Sequence, residues 1–252
     1  MEWVLILIIG LSIGSFLNVL IFRLDKRGGI LTGRSECPKC GKQLKWYDLF
    51  PVVSYVFLAR KCRYCKTDIS FVYPLVEFLT GLSFVAIYIS FTNQTLSLTM
   101  GLFYVLIISV FISIILFDYL YFLIPDKIIL PTITITILFN YFFRQPEFMT
   151  LLLSALTLSG IFAIMYLVSK GEWVGLGDAK LLFLIGLVLG YPLGFLSMIF
   201  SVWIAALVGI GLMISGRANR KTALPFGSFL AGISILIIIF QNEIQKIVQQ
   251  FI

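Results

Sequence analysis

Residues 101–118, GLFYVLIISVFISIILFD, form an apolar run that ends in an aspartate. A helix needs about 20 mostly apolar residues to cross roughly 30 Å of hydrocarbon, because lipid satisfies no backbone hydrogen bonds. Comparable runs recur along the chain, at 3–22, 71–91, 127–143, 150–169, 179–191, 193–214 and 225–240. The sequence therefore predicts an all-α polytopic membrane protein with about eight transmembrane helices, in which residues 191–194 form either a tight turn or a kink.

The composition agrees with a membrane protein and removes several kinds of active site. Of 252 residues, 60% are hydrophobic and 12% are charged, whereas globular proteins average roughly 25% charged residues. The chain contains no histidine. Catalysis by Ser-His or Cys-His pairs and metal binding by histidine are therefore excluded.

The distribution of basic residues predicts the topology. With eight crossings and the N-terminus outside, 17 of the 19 Lys and Arg residues lie on one side, and only Arg144 and Lys246 lie opposite. Short cytoplasmic loops concentrate such residues. The loops assigned to the cytoplasm are 23–70, 118–127, 170–180 and 215–224. We expect the first span to remain as an anchor, and we attribute the net charge of +7 to topology and anionic lipid rather than to nucleic acid.

All four cysteines lie in the first cytoplasmic loop, in two Cys-x-x-Cys pairs. They are Cys37 with Cys40 and Cys62 with Cys65. Two such pairs are typical of a zinc site closed by four thiolates, which is structural rather than catalytic. Disulfide or redox chemistry and a loop without metal are the alternatives, although a reducing cytosol disfavours disulfides. We expect Gly41, which follows the first pair, to have a positive φ.

Three aspartates mark the ends of predicted spans. Asp118 ends the third span, Asp126 follows Pro125, and Asp178 opens the sixth span. Two crossings separate Asp118 from Asp178, so both return to one face of the membrane. Ionisable groups at transmembrane helices are candidates for function. The alternatives are that Asp126 simply begins a helix and that Asp178 is a helix N-terminal charge.

Two carboxylates without histidine indicate aspartic protease chemistry. Two close acids share one proton, so the ionised acid takes a proton from water while the other polarises the peptide carbonyl. An ion-coupled transporter would instead place its acids near the bilayer midplane, within broken helices. A zinc-loop scaffold would leave the aspartates without a role.

Five motifs in order resemble the type IV prepilin peptidases, membrane aspartic proteases of the GxGD class. They are GSFLNV at 14–19 with Arg23, the paired cysteine loop, YPLVE at 73–77, IPD at 124–126 after Asp118, and GLGDAK at 175–180. The resemblance implies that Asp118 and Asp178 are catalytic. It implies supporting positions, without assigned roles, at Asp126, Glu77, Lys180, Gly175 and Gly177.

The resemblance also implies a reaction and a location. Such enzymes cut the short basic leader of prepilins and pseudopilins at the cytoplasmic face of the bacterial inner membrane. Many then methylate the new N-terminus with S-adenosylmethionine, and the four cysteines favour such a bifunctional member over one that only cleaves. Glu77 is either a contact for methyl transfer or the substrate amine, or the partner of a nearby cation. We expect Asn18 to bond between helices.

The expected organisation has three parts inside the lipid bilayer or at its surface. Residues 1–22 are the anchor, 23–70 the zinc loop and 71–252 a seven-helix peptidase core.

Overall fold

The structure of the protein, a computed structural model, describes residues 2–24, 35–92, 97–219 and 222–250. Within these ranges the helices are α1 (Glu2–Arg23), α2 (Val53–Phe57), α3 (Val72–Thr92), α4 (Leu98–Tyr121), α5 (Asp126–Phe143), α6 (Phe148–Ser169), α7 (Leu176–Leu189), α8 (Leu193–Ile214), α9 (Phe226–Ile239) and α10 (Gln241–Gln249). Extended pairing in this part of the chain is limited to two isolated bridges, Glu36 with Gln43 and Lys61 with Asp68. The all-α class is confirmed.

Each predicted span contains one of these helices, but the helices differ in length. Six are long and apolar enough to cross a membrane, or up to seven if α9 and α10, bent by 80° at their junction, count as one span. Helix α7 has only 14 residues, about 21 Å at 1.5 Å per residue. The multi-pass membrane class therefore stands, while the number of crossings remains a prediction. Helices α7 and α8 are separate elements, divided at residues 190–192.

The chain divides into two compact units, Met1–Ser113 and Ile114–Ile252. In the first unit, α1 packs on α3 through small residues. A Cβ added to Gly10 would lie 2.7 Å from Gly81 Cα, and one added to Gly14 would lie 2.6 Å from Glu77 Cα. Such close approach is typical of helix pairs in lipid. The predicted interhelical bond of Asn18 is confirmed, since its Nδ2 donates to the Tyr73 carbonyl oxygen at 3.1 Å.

In the second unit, α7 packs against four other helices, α5, α6, α8 and α9. Nine of its 14 residues are buried. A helix enclosed by other helices need not match the bilayer thickness, because its neighbours rather than lipid surround it.

Helix α5 supports α7 at both ends. At one end Lys180 Nζ lies 2.6 Å from Asp126 Oδ1. At the other, Asn140 Nδ2 donates to the Leu187 carbonyl oxygen at 2.8 Å, and Arg144 Nη1 donates to that of Val188 at 3.1 Å. The residue numbers rise together along both helices, so α5 and α7 run parallel. A cationic donor at the end of α7 also offsets the negative end of its dipole.

The packing of α6 on α7 depends on the absence of a side chain at Gly186. A Cβ there would lie 2.4 Å from Ala155 Cα, so the helix backbones would have to separate. We expect Gly186→Ala to destabilise the protein by about 1–3 kcal/mol. Unfolding in mixed micelles measures this, with Gly160→Ala in α6 as the control, because no atom lies within 4 Å of a Cβ added there. Equal stabilities of the two variants would contradict the prediction.

Candidate active site

Asp118 lies near the end of α4, where its side chain is covered by the start of α9. The residue is 5% exposed. Its Oδ2 accepts a hydrogen bond from the Ser228 backbone N–H at 2.7 Å and another from Ser228 Oγ at 3.0 Å. The carboxylate is therefore held in one orientation by a residue 110 positions away in the sequence.

Asp178 lies in the first turn of α7. Its Oδ2 accepts a hydrogen bond from the backbone N–H of Gly175, the N-cap residue, at 3.3 Å. Asp178 therefore also has the alternative role considered from the sequence, that of an acidic residue at a helix N-terminus. Ile124 lies against Gly177, the neighbour of Asp178, and against Gly227, which adjoins the Asp118 carboxylate, so the structure places the two acids around one side chain.

Two glycines permit this close arrangement around one isoleucine. A Cβ added to Gly177 would lie 3.1 Å from Ile124 Cβ, and one added to Gly227 would lie 2.9 Å from Ile124 Cδ1. The Cβ added to Gly227 would also lie 3.2 Å from Asp118 Oδ2. Side chains at either position would push the segment after α4 away from α7 and α9.

The two acids share an electrostatic environment, because each lies at the N-terminus of a 14-residue helix. Asp178 belongs to the first turn of α7, and Asp118 accepts the N–H of Ser228 in the first turn of α9. Unpaired N–H groups and the helix dipole make such termini favourable for negative charge. Both termini favour negative charge on the pair, which offsets part of the cost of burying a charge and, at Asp118, the opposing effect of the C-terminal end of α4.

The supporting residues Asp126 and Lys180 form an ion pair with each other. Asp126 is the first residue of α5, as its alternative role requires. Its side chain is 58% exposed and that of Lys180 is 28% exposed. Exposed pairs contribute little to stability, so this pair shows where the start of α7 lies beside α5, while the buried residues of α7 hold it in place.

Glu77 lies in the first unit, where it accepts a hydrogen bond from the backbone of the cysteine loop. Its Oε2 accepts the Val52 backbone N–H at 2.7 Å, and the Ser15 side chain also hydrogen bonds to it. Glu77 is 9% exposed. Within the described residues, Glu77 therefore bonds to backbone and hydroxyl donors rather than to Arg or Lys, which was one of its two alternative roles. The other role, a contact for methyl transfer or the substrate amine, stays a prediction.

The four cysteines form one cluster in the part of the loop that the structure describes, from residue 35 onward. Their Sγ atoms all lie within 4.8 Å of one another, and those of Cys37 and Cys65 are 3.8 Å apart. Thiolates bound to zinc at 2.3 Å in a tetrahedron are separated by about 3.8 Å. The cluster therefore fits a zinc ion, and the four cysteines are free thiols in this structure.

The two cysteine pairs have the same local fold. The N–H of the residue after each second cysteine, Gly41 or Lys66, donates to the carbonyl of the first cysteine of its pair. Gly41 has a φ of +67°, as expected, and Lys66 has +59° without being glycine. Hydrogen bonds from the Thr67 side chain and backbone lower the pKa of Cys65 to about 6. A thiolate is thus available for metal binding at neutral pH.

Comparison with known proteins finds one family model in each half of the chain. A model described as "Bacterial Peptidase A24 N-terminal domain" matches residues 8–91, and one described as "Type IV leader peptidase family" matches residues 104–214. A prepilin leader peptidase/N-methyltransferase of Pseudomonas aeruginosa is 30% identical over 97% of this chain and 92% of its own length. The chain belongs to the type IV leader peptidase family. A second relative of that name, from Bacillus subtilis, is 32% identical over 95% of each chain.

The search of solved structures gives no match. The family membership therefore rests on sequence similarity.

Sequence reasoning missed Ser228 and Gly227. The one signal was Pro225-Phe226-Gly227-Ser228 at the start of the last apolar run, where proline followed by small residues favours a helix start. Nothing in that local pattern indicates which carboxylate the helix start will meet.

Proposed function

We propose that Asp118 and Asp178 form the catalytic pair of a peptidase that removes the leader of prepilins or pseudopilins. The observation that carries the proposal is the placement of these two acids, from α4 and α7, around Ile124 at the N-termini of two short helices. The names of the relatives supply the substrate class. Asp126 and Lys180 then support the pair by positioning α7.

The orientation of each acid suggests how the reaction proceeds. Both Asp118 and Asp178 use Oδ2 for the hydrogen bonds that hold them, which assigns the other oxygen, Oδ1, to the reaction. A water molecule between the two Oδ1 atoms loses a proton to the ionised acid and attacks the peptide carbonyl. The second acid protonates the carbonyl oxygen, which gives a tetrahedral intermediate with two hydroxyl groups. When the C–N bond of this intermediate breaks, the proton gained from water passes to the leaving amine and the second acid recovers its proton from one of the hydroxyl groups.

The names of the relatives include a second activity, N-methylation. We propose that it follows cleavage in this protein. Cleavage leaves a new N-terminal amine, and that amine is the methyl acceptor. S-adenosylmethionine is the methyl donor in this proposal.

The charge pattern supports an orientation. We assign the Arg23 end of α1, the cysteine cluster and the acid pair to the cytoplasmic side, because 17 of 19 basic residues fall in loops of that side under the eight-span topology. Residues 1–22 then form the anchor, 23–70 a loop with structural zinc, and 71–252 the peptidase core in the bacterial inner membrane.

One experiment tests both activities. Purified protein is incubated with a prepilin peptide that contains the leader, with and without S-adenosylmethionine, and the products are weighed by mass spectrometry. We expect loss of the leader in both samples and a gain of one methyl group only with the donor. An unprocessed peptide would refute the peptidase, and cleavage without methylation would refute the second activity alone.

The bond from Ser228 to Asp118 predicts a graded effect on cleavage. We expect Ser228→Ala to lower kcat about 10-fold with little change in KM, since a hydrogen bond to a charged group contributes about 1.5–3 kcal/mol and the backbone N–H remains. Ser234→Ala is the control, because this serine of the same helix is buried and bonds to Ser197 instead. A similar fall in kcat in both variants would assign the effect to packing.

A further inference from the structure

A segment of the first unit, residues 46–57, exposes large apolar side chains although it belongs to the cysteine loop. Trp46 is 73% exposed, Val56 68% and Phe57 85%. Phe50 and Val53 are each 50% exposed. Contiguous apolar surface of this kind marks an interaction site. We call residues 46–57 the apolar segment.

The pairing of α1 with α3 fixes a depth scale for this unit. Gly14 meets Glu77, and Asn18 meets Tyr73, so the helices are antiparallel. Arg23 ends α1 nine residues beyond Gly14, which is about 13 Å along the axis. Basic residues at the end of a span mark the interface between lipid and water. Glu77 therefore lies well inside that boundary.

The apolar segment reaches down to this depth. The Val52 N–H bonds to Glu77, which lies five residues, or about 7.5 Å, inside α3. Val52 has a φ of +60°, which is strained for a β-branched residue, and the bond to Glu77 helps to hold it there. The turn before α2 is therefore fastened beside α3, below the level at which α3 begins.

The segment is continuous with the outward surface of α3. Val52 and Val56 line a cavity of about 490 Å³ together with Phe71, Leu75 and Phe78 of the α3 side. The last three are 63%, 39% and 51% exposed. The outward surface of a membrane-spanning helix meets acyl chains, so the same chains reach the cavity and α2.

Basic residues flank the apolar segment in the chain, and one of them, Arg60, also lines the cavity. Lys45, Arg60 and Lys61 are exposed, and Arg63 Nε lies 2.7 Å from the buried Asp48 carboxylate. The cations of Lys45 and Arg63 lie 5.7 Å and 5.0 Å from the Tyr47 ring centroid. Basic and aromatic residues beside an apolar face are typical of segments that lie in the lipid headgroup region.

From this depth, continuity and charge, we propose that the apolar segment is inserted into the leaflet at the Arg23 end of α1. Its partner is an anionic lipid surface, with Phe57 and Val56 among the upper acyl carbons and Lys45, Arg60 and Lys61 at the headgroups. The cysteine cluster is thereby anchored to the membrane at a second place besides the helices. The proposal does not depend on the proposed peptidase activity.

Fluorescence quenching in the full-length protein tests the insertion. Phe57→Trp is made in a chain whose four native tryptophans are replaced by phenylalanine, and the protein is placed in nanodiscs of phosphatidylcholine and phosphatidylglycerol. Replacing the phosphatidylcholine by a form brominated on its upper acyl carbons should quench Trp at position 57. The control chain keeps only Trp203, which is 62% exposed on the spanning helix α8. We expect comparable losses of fluorescence in the two chains.

Quenching of position 57 by aqueous iodide but not by bromolipid, while Trp203 responds to bromolipid, would overturn the proposal. A photoreactive benzoylphenylalanine at position 57 in an otherwise unchanged chain gives an independent measurement, with a prepilin peptide present. Capture of lipid supports insertion. Capture of the peptide alone would assign the apolar segment to the substrate and refute it.

Discussion

Asp178→Asn should abolish leader cleavage while leaving the protein folded. The amide oxygen of asparagine can still accept the Gly175 N–H that holds Asp178, so the start of α7 keeps its cap. The variant loses the ability to exchange a proton with water, which contributes about 10²–10⁴-fold in rate. The initial rate of cleavage of a prepilin peptide measures the effect, and Asp118→Asn should cause a loss of similar size.

The control for this prediction is an exposed acid near Asp178 in the sequence. Glu172→Gln makes the same change of carboxylate to amide in the loop before α7, and we expect it to cleave at the wild-type rate. Wild-type cleavage by Asp178→Asn or by Asp118→Asn would remove the pair from the mechanism. It would leave the family membership unaffected.

Cys62→Ser should eliminate zinc binding. Cys62 is 4% exposed and is one of the four clustered cysteines, and serine is a far weaker ligand for zinc than a thiolate. Structural zinc contributes about 10–16 kcal/mol in small zinc-binding peptides, so the loop should also become sensitive to protease. Elemental analysis of purified protein should give one zinc per chain for the wild type and close to none for the variant.

Lys39→Ala is the matched control, since this exposed lysine lies between two cysteines but offers no sulfur. It should retain zinc. Full zinc occupancy in Cys62→Ser would contradict the four-thiolate site. Detection of disulfides between the pairs in protein from intact cells would favour the redox alternative.

The positions of the cysteines and of the two aspartates were accessible from sequence because each has a local signature. A Cys-x-x-Cys turn is recognisable from its spacing, and an acid that ends a long apolar run stands out by its cost in lipid. Whether Asp118 and Asp178 are catalytic remains a proposal. Their proximity follows from the two intervening crossings, which the sequence also indicated.

The contacts of Ser228 could not be found in the same way. It meets Asp118 across 110 residues, and only the packing of α9 against the end of α4 brings them together. The partner of Glu77 was missed for a similar reason, because a backbone N–H carries no sequence signal. The short helix α2 also escaped detection, since five residues are too few for a periodic pattern.

The length of α7 illustrates a limit of hydropathy. The run at 179–191 indicates apolar surroundings, which lipid and neighbouring helices provide equally well. Its 14 residues are surrounded by other helices, so hydropathy identified the burial correctly without determining whether the helix crosses lipid.

The attachment of α7 to α5 at both ends, by Lys180 with Asp126 and by Asn140 and Arg144 with the last carbonyls, has a mechanical consequence. A helix fastened at both ends to a parallel neighbour resists tilting, so we expect Asp178 to be the less mobile of the two acids. In the proposed reaction, we expect α9 and residues 122–125 to move when a peptide binds. We expect amide hydrogen exchange in α7 to be slower than in α9, and the reverse order would show that Asp178 moves.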